Sequence, residues 1–208
     1  MTANPDMTVM EIELLPTPTT KLLIPRMSEA AFYNFCLANP NLRVEREKDG
    51  KITIMSPVNL KSGFHETELI AEVRNWNRKH RLGKCFSPSA GFTLPDTSVR
   101  AADVAWLSKK TWDSLPESER NRFGHAVPDF IAEVRSYSDS LKKLKEKVAE
   151  SWLANGVRLA WLIDPIKQKA YIFRQNGTEE TVDGFDKKLS GEDVLPGFEF
   201  DLSLLLED

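Results

Sequence analysis

The chain has 208 residues, and its 28 lysines and arginines against 31 aspartates and glutamates give a formal charge of -3. This balance does not mark the chain as a binder of polyanions, and two cysteines are too few for a secreted disulfide scaffold. There is no basic leader and no apolar run of about 20 residues, so we expect neither a signal peptide nor a membrane span and favour a cytoplasmic location.

The N-terminal part of the chain is rich in proline. Residues 1–27 contain four prolines among threonines and short apolar runs, which predicts an extended arm. We expect the remainder, 28–208, to form a single domain that opens with a short helix from Ser28 to about Pro40. Apolar and polar residues alternate in 42–55 on both sides of Lys48-Asp49-Gly50, which predicts a β-hairpin.

The middle of the chain combines one helix with several short strands. From Phe64 to His80 the apolar side chains recur at helical spacing, with charged residues between them, which predicts an amphipathic helix. Three short apolar runs follow, and we expect them to be strands of one sheet: residues 84–86, 91–94 and 103–107.

A strand, a helix and a second strand then follow one another. Residues 130–134 are almost continuously apolar, which predicts a strand buried on both faces. A long helix is predicted from about Ser140 to Ala154, Asn155-Gly156 ends it, and a second buried strand covers 158–163. A crossover of this kind places the two strands in parallel. The fold class is therefore α/β or α+β around a mixed sheet.

The residue that stands out is Glu133, because a carboxylate inside an apolar strand loses hydration and needs a compensating cation, metal or proton. Asp103 has a similar position at the start of another apolar run. Carboxylates on neighbouring strands can hold a hard divalent cation. The alternative is a structural ion pair, in which Glu133 faces a helix lysine or Arg135 on its own strand face.

Four blocks of sequence carry a resemblance to a known family. They are GFTLPD at 91–96, SVRAADVAW at 98–106, VPDFIAEVRS at 127–136 and LANGVRLAWLIDP at 153–165. Their order resembles the PD-(D/E)XK nuclease fold and, in detail, the bacterial family described as putative restriction endonucleases (the Uma-two family). The resemblance covers about residues 28–175. It implies a restriction-endonuclease-like core, a mixed central sheet flanked by helices, preceded by the N-terminal helix and hairpin.

The resemblance also implies an activity. It is that of an endonuclease hydrolysing DNA phosphodiester bonds with Mg²⁺ or Mn²⁺, as a homodimer and without an organic cofactor. It makes Asp103 and Glu133 the metal ligands and the backbone carbonyl of Val134 a third. Glu68 matches the assisting acid on the preceding helix, although Glu66 and Glu72 lie on the same helix.

The sequence departs from the family pattern at two positions. Ala102 replaces a proline that supplies no ligand, and Arg135 replaces the usual lysine. A guanidinium cannot act as a base, although it can grip a phosphate. A lysine on the next helix can take the missing role. Helical geometry slightly favours Lys145 and the resemblance favours Lys147, which we predict. The alternative function is a catalytically weak or inactive nuclease-fold protein that binds DNA or serves in assembly.

The charge of the chain is unevenly distributed. Residues 177–208 form an acidic C-terminal segment with ten acids against two lysines, a balance of -8 that leaves +5 on residues 1–176. The total charge therefore does not argue against a polyanionic substrate. A basic cluster ends the helix near Trp76, and it either follows a nucleic-acid backbone or is an ordinary basic helix terminus. Its members are Arg74, Arg78, Lys79, His80 and Arg81.

Overall fold

The elements of the fold follow the predicted order in a computed structural model that describes residues 26–206. The proposed arm lies outside the described residues except for Arg26 and Met27. The helices are α1 Glu29–Ala38, α2 Leu60–His80, α3 Lys109–Ser114, α4 Glu117–Arg120 and α5 Leu141–Glu146. The helix α5 continues as a π-helical turn, Lys147–Trp152, and a 3-10 turn, Leu153–Asn155.

The strands form three sheets. They are β1 Arg43–Arg46, β2 Ile52–Met55, β3 Gly83–Phe86, β4 Phe92–Thr93, β5 Val99–Arg100, β6 Val104–Ser108, β7 Phe130–Val134, β8 Leu159–Asp164, β9 Lys169–Arg174, β10 Glu179–Asp183, β11 Lys188–Ser190 and β12 Glu199–Asp201. A last 3-10 turn covers Leu202–Leu205. No helix among the described residues combines the length and the apolar character that crossing a bilayer requires.

The central sheet has the order β10-β9-β8-β7-β6-β3. Strands β7 and β8 are parallel, and the other pairs are antiparallel. Because every residue of β7 and β8 is buried, both strands can be apolar along their whole length. The predicted mixed sheet and the predicted parallel crossover through α5 are both confirmed.

The second sheet, in the order β2-β1-β5-β4, contains the predicted hairpin. The expectation that residues 84–86, 91–94 and 103–107 share one sheet is wrong, because β4 pairs with β5 here. Residues 94–98 form a tight turn in which the amide of Leu94 donates to the carbonyl of Ser98. This turn closes β4 onto the strand that follows it, whereas β3 pairs with β6 in the central sheet.

Two hydrophobic layers cover the central sheet. On one face, α2 packs Leu69, Val73 and Trp76 against β6 and β7. On the other face, Val148 and Trp152 of the π-helical turn are buried. The acidic C-terminal segment belongs to the first layer, since its apolar side chains join the α2 core: Phe185, Leu189, Val194, Leu195, Phe198, Phe200, Leu202 and Leu205.

Gly83 allows α2 to be followed at once by the edge strand β3. A Cβ on this residue would lie 2.1 Å from the carbonyl oxygen of Leu107 and 2.6 Å from the ring of Trp106. A side chain at this position would therefore push β3 away from β6. By contrast, nothing lies within 4 Å of a Cβ on Gly63, inside α2.

These two glycines provide a matched test of the packing. We expect Gly83→Ala to lower the free energy of unfolding by at least about 2 kcal/mol, because backbone and ring atoms must move. Gly63→Ala removes a flexible residue from a helix, and it should raise the same quantity by up to about 1 kcal/mol. Urea unfolding of both variants measures the two effects, and equal values for them would contradict this packing.

Candidate active site

Two acidic side chains meet where β6 and β7 lie side by side. The ladder pairs Val104 with Ala132, so the next pair in the same register sets Asp103 opposite Glu133. The Asp103 Oδ2 atom accepts a hydrogen bond of 2.7 Å from the amide of Val134. The structure therefore brings together the two carboxylates that the sequence predicted as a pair.

Glu133 is almost completely buried, with 5% of its surface exposed. Its Oε1 atom accepts a hydrogen bond of 2.9 Å from Trp152 Nε1 and lies 3.0 Å from Lys147 Nζ. Burial raises the pKa of Glu133; the Lys147 ammonium opposes this rise, and the charge of Glu45 reinforces it. The lysine therefore compensates this carboxylate only in part.

The pKa of Asp103 is raised well above its usual value, first by burial and then by the charge of Glu133. The amide of Val134 favours the ionised form but does not offset these two effects. The pair therefore has too little positive charge around it, and its surroundings favour the protonated form of Asp103 more than water does. A cation placed between the two carboxylates would supply the missing positive charge.

Lys147 is the cation at the centre of the site. Its Nζ atom lies 3.2 Å from Glu45 Oε1 and 3.3 Å from the carbonyl oxygen of Ala101, in addition to its contact with Glu133. Burial alone would lower its pKa, but the charges of Glu133 and Glu45 raise it above the usual value. Lys147 is therefore an ammonium at every physiological pH and cannot accept a proton from water.

Glu45 of β1 is a site residue that the sequence did not indicate. It is 4% exposed, and it also bonds Arg100 Nη1 at 3.0 Å and the amide of Ala101 at 3.1 Å. Burial would raise its pKa, but Lys147 and Arg100 lower it, so Glu45 is ionised. Alternation in a short hairpin strand does not distinguish Glu45 from Glu47. Arg100 of β5 contacts both acids, and of the two it is Glu45 that also contacts Lys147.

The helix after β7 brings Lys147, and not Lys145, to the pocket. An ideal α-helix slightly favours Lys145. At Lys147, however, the helix widens into a π-helical turn, which shifts the angular positions of the residues after it. Lys145 lies on another side, 2.5 Å from Glu179 and 3.7 Å from the centre of the Tyr171 ring.

The acid that α2 contributes to the pocket is Glu66 and not Glu68. Glu66 lines the pocket, and its pKa is raised by burial and by the charge of Glu133, although Arg43 lowers it. Glu66 precedes Val73 by seven residues, two helical turns, so it lies on the buried side of α2. Glu68 is about 100° around the helix from buried Leu69. The seven-residue spacing between Glu66 and buried Val73 is therefore the sequence pattern that identifies Glu66 as the pocket residue.

Arg135 does not line the pocket. Its Nη1 atom donates to Asp164 at 2.8 Å, and its Nε atom donates to the carbonyl of Asp139 at 3.2 Å. Asp164 is fully buried at the end of β8. Arg135 therefore fixes the turn after β7, and the ion pair that the sequence left open for Glu133 forms with Lys147 instead.

The pocket has a volume of ≈ 530 Å³ and opens between the hairpin, α2 and the turn after β7. Tyr137 stands at its mouth with 82% of its surface exposed. Asp139 holds this turn by accepting bonds from the amide and hydroxyl of Ser136, at 2.8 and 2.6 Å. An acidic floor beneath an open mouth leaves room for a phosphate group.

The donors of this site suit a hard cation. Within residues 26–206 there is no group of three or more histidine, cysteine, aspartate and glutamate side chains arranged to hold a metal. The fit depends instead on the carboxylates of Asp103 and Glu133, whose negative charges are not fully compensated by the cations around them. Magnesium commonly uses one or two carboxylates and keeps several waters, so this pair fits such an ion.

Comparison with known proteins gives one family and one fold. The model of the Uma2 family, described as "Putative restriction endonuclease", matches residues 30–204. A crystal structure of a protein from Anabaena variabilis ATCC 29413, described as a putative nuclease belonging to DUF820, matches with a TM-score of 0.65 and 20% identity. The match covers 78% of this chain and 91% of that chain, and it supports the fold. No curated protein matches the chain.

The raised pKa of Asp103 leads to a stability test without metal. Below an unfolded pKa of about 3.9, the side chain is protonated in both states, so Asp103→Asn should leave the melting temperature nearly unchanged. As the pH rises, the unfolded state loses this proton more easily than the folded state, which costs the wild type stability. Asp103→Asn should therefore become the more stable protein toward pH 8, as thermal melts in EDTA can show.

Asp129→Asn is the matched control for this test. Asp129 Oδ2 accepts hydrogen bonds from the amide of Ser108 at 2.7 Å and from the hydroxyl of Thr111 at 2.9 Å. Because its charge is well compensated, replacing it should lower the melting temperature at neutral pH. If Asp103→Asn destabilised the protein as much as Asp129→Asn at pH 8, the acidic pair would not be strained.

Proposed function

The chain belongs to the Uma2 family, described as "Putative restriction endonuclease", and on that premise we propose that it is a divalent-metal-dependent endonuclease hydrolysing DNA phosphodiester bonds. One observation carries the proposal, the meeting of Asp103, Glu133 and Lys147 in one open pocket. The two carboxylates come from neighbouring strands and the lysine from the helix after them. No organic cofactor is needed for this chemistry.

The metal would be held by Asp103 and Glu133, with the carbonyl oxygen of Val134 as a third ligand. Mg²⁺ or Mn²⁺ fits these oxygen donors. A divalent cation supplies positive charge for a phosphoryl oxygen and makes a bound water more acidic. In the proposed site, protons compete with the cation for Asp103 more strongly than for an ordinary carboxyl group, since its pKa is raised.

Lys147 would act as a fixed positive charge and hydrogen-bond donor. Because its pKa is raised, it can stabilise negative charge that develops on the phosphate and can orient the attacking water, but it does not remove the proton from that water. Glu45 acts through Lys147, because it fixes the position of the ammonium and helps to keep it protonated. Arg100 in turn holds Glu45, so both are positioning residues.

The alternative function, a DNA-binding or assembly module without chemistry, was motivated by Arg135 in the place of the usual lysine. The position of Lys147 weakens the argument that the site lacks a lysine, because its ammonium lies 3.0 Å from Glu133. A homodimer stays a prediction of the family resemblance, and the molar mass from light scattering tests it.

Cleavage of supercoiled plasmid DNA in Mg²⁺ or Mn²⁺ tests the proposed function. We expect metal-dependent nicking by the wild type and a loss of about 100-fold or more in Glu133→Gln and Lys147→Met, because each removes a charge next to the reacting phosphate. Lys145→Met is the matched control and should cleave at nearly the wild-type rate. The same residual nicking in the wild type and in Glu133→Gln would mean that the pocket is not the active site.

A second pair of variants separates the two acids of α2. Glu66 lines the pocket, so Glu66→Gln should reduce the cleavage rate by about tenfold or more, because it removes a negative charge that attracts a cation to the pocket. Glu68→Gln should have little effect. The cleavage rates of the two proteins, compared at equal metal concentration, decide between them, and a larger loss in Glu68→Gln would overturn this assignment.

A further inference from the structure

A basic groove lies at the opposite end of α2 from the acidic pocket. It has a volume of ≈ 560 Å³ between the end of α2, the start of β3 and the helix α3. The cationic side chains that line it come from three elements: Arg74, Arg78, Arg81, Lys84 and Lys109. The groove has one acidic lining residue, Asp113.

The charge of this groove is not compensated within the described part of the chain. Lys109 pairs with Asp113 at 2.5 Å. The described residues offer no carboxylate partner within ion-pair distance to Arg74, Arg78, Arg81 or Lys84, and all four are exposed. Elsewhere in the protein, arginines such as Arg135 and Arg174 are paired with acids. The groove therefore concentrates positive charge that is available to a ligand.

The helix dipole does not explain this arrangement. A basic last turn is favoured at any helix C-terminus, which would account for Arg78. It does not account for Arg74, which lies before the last turn, or for Lys84 and Lys109, which lie on other elements. The structure thus separates the two interpretations that the sequence left open for this cluster.

The floor of the groove is rigid. Asn77 donates from Nδ2 to the carbonyl of Gly83 at 3.0 Å and accepts at Oδ1 from Trp106 Nε1 at 2.9 Å. Arg81 ends the helix in the left-handed region, with φ 57°, and the chain enters β3 two residues later. These contacts fix the positions of the backbones that carry the cations, so the groove does not depend on a mobile loop.

The distance to the acidic pocket matches a short stretch of duplex. Arg74 and Arg78 follow Glu66 by eight and twelve residues, which is about 12 and 18 Å along the helix. At 3.4 Å per base pair, these distances correspond to roughly four to five base pairs. One short DNA duplex is therefore long enough to reach from the acidic pocket to the groove.

We propose that this groove binds the DNA backbone through phosphates that flank the phosphate to be cleaved. The proposal rests on the proposed function for the identity of the ligand. It assigns a second binding surface, which holds the duplex by charge and without reading bases. Isolated Arg and Lys side chains with water-exposed ends suit phosphates, whereas a carboxylate-lined pocket repels them in the absence of metal.

The test is DNA binding by fluorescence anisotropy, with a 30-base-pair duplex in EDTA so that no cleavage occurs. We expect the double variant Arg78→Ala/Lys84→Ala to bind roughly tenfold more weakly at low salt. The slope of log affinity against log salt concentration should fall by about 1.8, since each lost phosphate contact contributes about 0.9. Lys79→Ala is the matched control. It removes an exposed charge of the same helix that does not line the groove, and it should bind like the wild type.

The outcomes separate this proposal from the proposed function. An unchanged affinity and salt slope in the double variant would show that the groove does not bind DNA, even if plasmid cleavage depended on Glu133. An equal loss in Lys79→Ala would also overturn it, because the effect would then be one of overall charge. A loss confined to the double variant, in a protein that yields no metal-dependent product, would support the groove as a DNA site and reject the nuclease.

Discussion

The Lys147 ammonium, held between Glu45 and Glu133, is the interaction on which the site depends. It joins three parts of the fold, because Glu45 comes from the hairpin sheet, Glu133 from the central sheet and Lys147 from the helix between the two parallel strands. Removing the ammonium would leave two almost fully buried carboxylates facing each other without a cation, a strongly unfavourable arrangement. The position of the hairpin against the central sheet is therefore linked to the charge of one side chain.

The acids around this lysine are not equally compensated, and the inequality indicates function. Lys147 and Arg100 together lower the pKa of Glu45, so that acid is satisfied. The pKa values of Glu133 and Asp103 remain raised. A purely structural ion pair would match one acid with one base. A remaining deficit of positive charge, at the floor of an open pocket, is typical of sites that bind cations or react.

Local patterns in the sequence predicted the elements that bear the carboxylates. The apolar runs at β7 and β8 and the helix between them were sufficient to identify the crossover. The apolar setting of Glu133 and Asp103 suggested that they act together, and the family resemblance implied that they are metal ligands. Long-range contacts were not predictable in this way. The role of Glu45 depends on its contact with Lys147, which lies 102 residues further along the chain. The π-helical turn that begins at Lys147 changes the angle by which successive residues rotate around the helix axis. A tight turn pairs β4 with β5 and so places β4 in the second sheet.

Titration calorimetry with Mn²⁺ measures whether the pair of Asp103 and Glu133 binds a divalent cation. We expect one site in the wild type and release of protons from the acidic pair on binding, because the raised pKa of Asp103 makes protons compete with the cation. We expect this site to be lost in Asp103→Asn and retained in Asp129→Asn. Equal Mn²⁺ affinity and equal proton release in Asp103→Asn and the wild type would show that the acidic pair is not a cation site.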